Sequence, residues 1–182
     1  MAVSADEIRR KFPEIAGRFH GQTLDVLARA FSLHEVPEGQ ALIRDGTAAD
    51  TVYLVWEGRL VAFLEGPGMS VELGHVGPGQ WVGEVSMLDA GPAVATVQAE
   101  TDAKLLGIGR REFKELNRDH PEVAGVILRL LVHLMIERLR RADELMLGAA
   151  ADTGRSTAAD EPADHWGVKV YRRLMGLSER AT

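Results

Sequence analysis

The sequence contains no cysteine. That excludes disulfides, zinc–thiolate and iron–sulfur sites, and thiol catalysis. A thiol-free chain suits a reducing compartment, so a cytoplasmic location is expected. The N-terminal stretch MAVSADEIRRKF has no apolar core of the kind a secretory signal needs. No apolar run approaches the ~18 residues of a membrane span, so no membrane partner is expected. The histidines His20, His34, His75, His120, His133 and His165 are scattered. None forms the HExxH spacing that places two ligands on one helix face, so no metal site is expected. No serine sits in a GxSxG elbow. Pairs of carboxylates such as Glu14 and Asp25, or Asp102 and Glu112, have no sequence reason to converge. Nothing reads as a catalytic centre, and the expectation is a non-enzyme. The stretch GPGQWVG (Gly77–Gly83) has a last gap one residue too long for the dinucleotide fingerprint, and no βαβ pattern surrounds it. The net charge of −6 also weighs against a nucleic-acid partner.

What remains is an ordinary globular composition: 182 residues, 46% hydrophobic and 26% charged. That is enough for one domain with a real core and some extra chain. Residues 5–30 read as two short helices, with Ser4 as a cap and Ile8, Phe12 and Ile15 at helical spacing. From Leu33 to Ile108 the apolar period changes to two. The stretch DTVYLVWEGRLVAFLEG is the clearest strand pair, with a tight turn at Glu57–Gly58. Short strands between regular glycine turns predict an antiparallel β jelly-roll barrel, flanked by N-terminal helices and a long C-terminal helix.

After Ile108 the helical period returns. RREFKELNRD reads as a short helix, and Pro121 as the first residue of a long one ending near Leu147. Leu128, Val132, Met135 and Leu139 are spaced by four and three, which predicts a coiled-coil-type seam and a homodimer. A second stripe, Ile127, Leu131 and Leu134, lies beside it. One wide core face is the plainer alternative. Residues 148–165 are rich in small and polar types and read as a flexible linker. Residues 166–182 read as an amphipathic tail. Trp166, Val170 and Leu174 form its stripe, and Lys169, Arg172 and Arg173 its basic flank. The tail folds back on residues 1–147, docks a protein partner or, as the weakest alternative because its stripe is short and has few basic residues, lies on an anionic membrane.

The stretch GEVSMLDAGPAVATVQAE (Gly83–Glu100) has the build of an anion cradle yet contains no lysine, arginine or histidine. Together with Gly39, Gly46, Gly58 and Gly79 in the same order, it resembles the phosphate-binding cassette of cyclic-nucleotide-binding domains. These are the regulatory modules of catabolite-activator-type transcription factors, gated channels and cyclic-AMP-dependent kinases. The resemblance covers about Phe12 to Leu147. It implies a ligand sensor for cyclic AMP or cyclic GMP, with Gly83, Glu84, Val85, Ser86, Pro92, Ala93, Val94, Ala95 and Thr96 as the ligand-binding cassette. The family's glutamate, here Glu84, accepts the ribose hydroxyl. The family's arginine, which pairs with the cyclic phosphate, is Ala93 in this chain. Removing such a contact costs roughly 1.5–3 kcal/mol, a roughly 10–150-fold weaker affinity. Weak or absent cyclic nucleotide binding is therefore expected, unless Arg44, Arg59, Arg129 or His133 supplies a substitute cation. Members that regulate transcription append a helix-turn-helix. The 35 residues after Leu147 are too few for the linker and two further helices, so no DNA-binding output is expected.

Overall fold

The computed structural model describes residues 3–66, 69–89 and 91–152. The linker beyond Asp152 and the whole of the tail lie outside the described residues. The chain divides into two compact units, Met1–Val132 and His133–Thr182.

The first unit opens with three helices rather than two: α1 (Ala5–Lys11), α2 (Pro13–Ala16) and α3 (Thr23–Ala30). Ser4 caps α1 in a reciprocal box, its Oγ accepting from the Glu7 N–H and its own N–H donating to the Glu7 carboxylate at 2.8 Å. Pro13 has no N–H to give back to the preceding turn. The chain therefore breaks at Phe12 and restarts, which splits the one helical period read there into two elements.

Eight strands follow: β1 (Ser32–Val36), β2 (Ala41–Ile43), β3 (Thr51–Glu57), β4 (Leu60–Gly66), β5 (Met69–Val76), β6 (Trp81–Val82), β7 (Thr96–Ala99) and β8 (Ala103–Gly109). Helix α4 (Glu84–Leu88) interrupts them between β6 and β7. They make two four-stranded antiparallel sheets, ordered β1-β8-β3-β6 and β2-β7-β4-β5. This is the expected jelly-roll arrangement. Helices α5 (Arg110–Asp119) and α6 (Pro121–Asp152) close the described chain.

The central strands of the first sheet, β3 and β8, are largely buried on both faces. One face turns into the barrel, where Val36, Ile43, Val55, Leu60, Val76, Val82, Val97 and Leu105 form an apolar cluster. Side chains alternate along a strand. Val52 and Leu54 of β3, and Leu106 and Ile108 of β8, therefore point the other way, and all four are buried. Ile8, Leu24, Leu27, Ile127 and Leu131 supply the buried apolar side chains of the helices. A near-continuous apolar run in β3 and β8 follows from this double burial.

The β3–β4 turn needs its glycine. Gly58 has φ +85°, and a Cβ there would lie 2.7 Å from the Ala103 Cα and closer still to the Asp102 carbonyl oxygen. Gly58→Ala is expected to cost about 2–3 kcal/mol, combining left-handed strain with a backbone clash. Thermal melts would show this as a fall of roughly 5–10 °C. An unchanged melting temperature would mean that the turn relaxes freely.

Helix α6 begins at Pro121 as expected, but it continues through Asp152 instead of ending near Leu147. Ala149–Ala151 follow Gly148, and alanine is the strongest helix former, so the one glycine does not stop the helix. Of the two apolar stripes, Ile127 and Leu131 are buried. Leu128, Met135 and Leu139 are half-buried, while Val132 is 48% and Ile136 42% exposed. Ile136 was absent from the four-residue seam read from the sequence.

Candidate functional site

The cassette is built on one glycine and one short helix. Gly83 ends β6 and caps α4 at φ +88°. A Cβ at this position would sit 2.5 Å from the Thr51 carbonyl oxygen. The close approach to β3, not only the turn, demands glycine. Glu84 opens α4 and is only 3% exposed, and Ser86 is equally covered. Val85 is half-buried.

Beyond α4 the chain is laced to the β2–β3 loop. Pro92 bridges Ala48. The Ala93 N–H donates to the Thr47 carbonyl at 2.8 Å, and the Gly46 N–H donates to the Ala93 carbonyl at 2.8 Å. Both backbone polar groups of Ala93 are thus used by the fold. Its methyl group is 3% exposed and belongs to the barrel's apolar cluster with Ile43, Val82 and Val97. Val94 and Ala95 are half-buried. Thr96 is buried at the start of β7, where its Oγ1 accepts from the Asp45 N–H at 3.0 Å and donates to Glu65 at 3.2 Å. That hydroxyl is committed to structure. The structure therefore brings the nine cassette residues into one turn-and-helix. Position 93 is packed as core.

The four possible substitute cations are placed differently. Arg59 pairs with Glu100 at 2.7 Å. His133 lies 3.4 Å from Glu137 on α6. Arg129 is exposed on α6 beside Gly125. Arg44 is exposed on the same loop that holds Ala93, and it has no ion pair among the described residues. With Thr47, Asp50, Thr51 and Tyr53 it lines a cavity of about 290 Å³ between β2 and β3. Burial holds the Tyr53 phenol above its ordinary pKa, partly offset by a hydrogen bond with Thr51.

Sequence reasoning missed Arg110, the first residue of α5. Its guanidinium donates to the Ser86 carbonyl and, at 3.1 Å, to the Asp89 carbonyl. Nothing in RREF distinguishes this arginine from a solvated helix-start residue. Only the fold brings it to the end of α4.

Residues 33–120 match the family model described as the cyclic nucleotide-binding domain. The chain is 33% identical over 129 residues to the cyclic AMP receptor protein of Thermus thermophilus, covering 69% of this chain and 58% of that protein. It is 32% identical over 108 residues to lysophospholipase nte1 of Aspergillus fumigatus, 59% of this chain but only 7% of the enzyme's length. Among solved structures, a cyclic nucleotide-binding domain from Methylobacillus flagellatus superposes with TM-score 0.72 at 22% identity, covering 80% of this chain and 86% of that one. The regulatory subunit of a cAMP-independent protein kinase A from Trypanosoma brucei superposes with TM-score 0.60 at 21% identity, covering 71% of this chain and 46% of that one. That structure is a triple variant bound to cAMP in its A site; one of its substitutions introduces an arginine and one removes a glutamate. On a two-sheet barrel followed by a long helix, residues 33–120 thus form a domain of the cyclic nucleotide-binding type.

Proposed function

We propose that this chain is a regulatory module that binds cyclic AMP and cyclic GMP weakly or not at all. In this reading it works as a homodimer through α6 and signals to a protein partner. One observation supports it: the methyl group of Ala93, the residue that the resemblance sets at the family's phosphate-pairing arginine, is sealed into the barrel's apolar cluster. A cyclic phosphate at the cassette would meet backbone dipoles and the buried Glu84, but no cation contributed from position 93. The Trypanosoma regulatory subunit supports the reading, because its cAMP-bound form carries an added arginine.

A second reading keeps the chain as a true cyclic nucleotide sensor with a substitute cation. Arg44 favours it, since it lines the cavity beside the loop that grips Ala93. Titration calorimetry of the purified chain with cyclic AMP and cyclic GMP separates the two. The expected result is a dissociation constant above ~10 μM for both ligands. Submicromolar binding that Arg44→Met abolishes would transfer the assignment to the second reading.

A further inference from the structure

Helix α4 has five residues, too few to hold its own shape. What grips its two ends decides where it sits. At the N-terminal end, Gly83 lies so close to the Thr51 carbonyl of β3 that no Cβ would fit between them. At the C-terminal end, Nη2 of Arg110 donates to the carbonyls of Ser86 and Asp89. Those carbonyls belong to the last turn and the cap, which have few partners inside so short a helix. A cation there also meets the negative end of the peptide dipoles. The backbone N–H of Arg110 in turn donates to the Asp50 carbonyl at 2.7 Å. Asp50 precedes Thr51, so both ends of α4 refer back to the same two residues. Arg110 makes no ion pair among the described residues, which leaves its charge to the two carbonyls.

We propose that Arg110 is a latch that joins the cassette helix to α5, so that α4 and the first turn of α5 move together. Arg110 is a positioning residue: it touches two carbonyls and no ligand. Losing its side chain leaves the Arg110 backbone on Asp50, and α5 on β8, but frees the C-terminal end of α4. The use of such a latch in signalling rests on the regulatory reading above. The latch itself does not, and it is testable without any ligand.

The experiment is hydrogen–deuterium exchange on the full chain, read on peptides covering residues 83–89, 103–108 and 109–114. Arg110→Met is expected to speed exchange in α4 about tenfold or more, as charge-assisted hydrogen bonds are lost, with β8 unchanged. Arg110→Lys retains most of the protection, because a single nitrogen serves both carbonyls. Coupling is read from a double-mutant cycle. Ser86→Gly loosens α4, and the first turn of α5 then exchanges at least about threefold faster when Arg110 is present. The same change has no effect on α5 in the Arg110→Met background. The latch is overturned if α4 stays protected in Arg110→Met, or if α5 ignores Ser86→Gly while Arg110 is in place. Should Arg110→Met raise exchange in β8 as well, the lysine variant decides. Retained α4 protection there supports the latch, and loss as complete as in the methionine variant refutes it. A wild-type chain that never responds to a cyclic nucleotide would limit the sensor reading but leave these outcomes untouched.

Discussion

Ala93→Arg is expected to destabilise the ligand-free protein and to strengthen its response to cyclic AMP. Two opposing effects set the outcome. Position 93 is 3% exposed inside an apolar cluster, so an arginine there enters a site with no partner for its charge. An unpaired buried charge costs about 3–5 kcal/mol. The long stem lets the guanidinium reach toward the cassette surface, which recovers part of that cost. In the other direction, a cyclic phosphate supplies the missing partner, and the charge-assisted pair returns about 1.5–3 kcal/mol. The variant should therefore melt well below the wild type when empty and regain several degrees in millimolar cyclic AMP. At 100 times the dissociation constant, ligand linkage alone adds about 2.7 kcal/mol. Calorimetry should show binding at least about tenfold tighter than wild type. A variant as stable as wild type and no more responsive to the ligand would show that position 93 does not face the pocket. Nanomolar binding by the unmodified chain would refute the proposed function outright.

This prediction also marks how far the sequence could be read. The expectation of a missing arginine rests on Pro92 and the Ala95–Thr96 pair, which frame position 93 on both sides. The burial of position 93 was not legible. An alanine between a proline and a valine looks the same whether it lines a pocket or fills a core. The barrel was legible because Val52, Leu54 and Trp56 alternate with Tyr53 and Val55, and because Gly58 turns the chain between them. The double burial of β3 fits its middle, VYLVW, which carries no charged residue. Local chemistry also announced the Ser4 cap and the Pro121 start. Arg110 was invisible for the opposite reason. Its partners lie 24 and 21 residues earlier, and helix-start arginines are usually solvated. The Thr96 hydroxyl is engaged the same way, at long range, by the Asp45 N–H and Glu65. Long-range polar contacts carry no period, and period is what the sequence displays.

Val132→Glu is expected to convert a homodimer into a folded monomer. Ile127 and Leu131 face the unit's own core and are fully covered. Turning one residue further along the helix brings Leu128, Val132 and Ile136, each four apart on a single ridge. Val132 and Ile136 are 48% and 42% exposed, a costly state for two branched aliphatic side chains on adjacent turns. Met135 and Leu139, half-buried, widen the same stripe. Two copies packed through this ridge would cover it on both sides. In a twofold interface each residue meets its own counterpart's neighbourhood, so one substitution acts twice. A glutamate at 132 would then bury two like charges near one another. The cost is about 3 kcal/mol or more, which weakens association roughly a hundredfold. Because position 132 lies off the covered stripe, far-ultraviolet circular dichroism of the variant should remain that of a folded chain. Light scattering at ~50 μM is the deciding measurement, a concentration at which a micromolar dimer is mostly assembled. A wild type that already scatters as a monomer there would remove the dimer and leave the ridge to another partner. A variant that stays dimeric would place the interface elsewhere on the molecule.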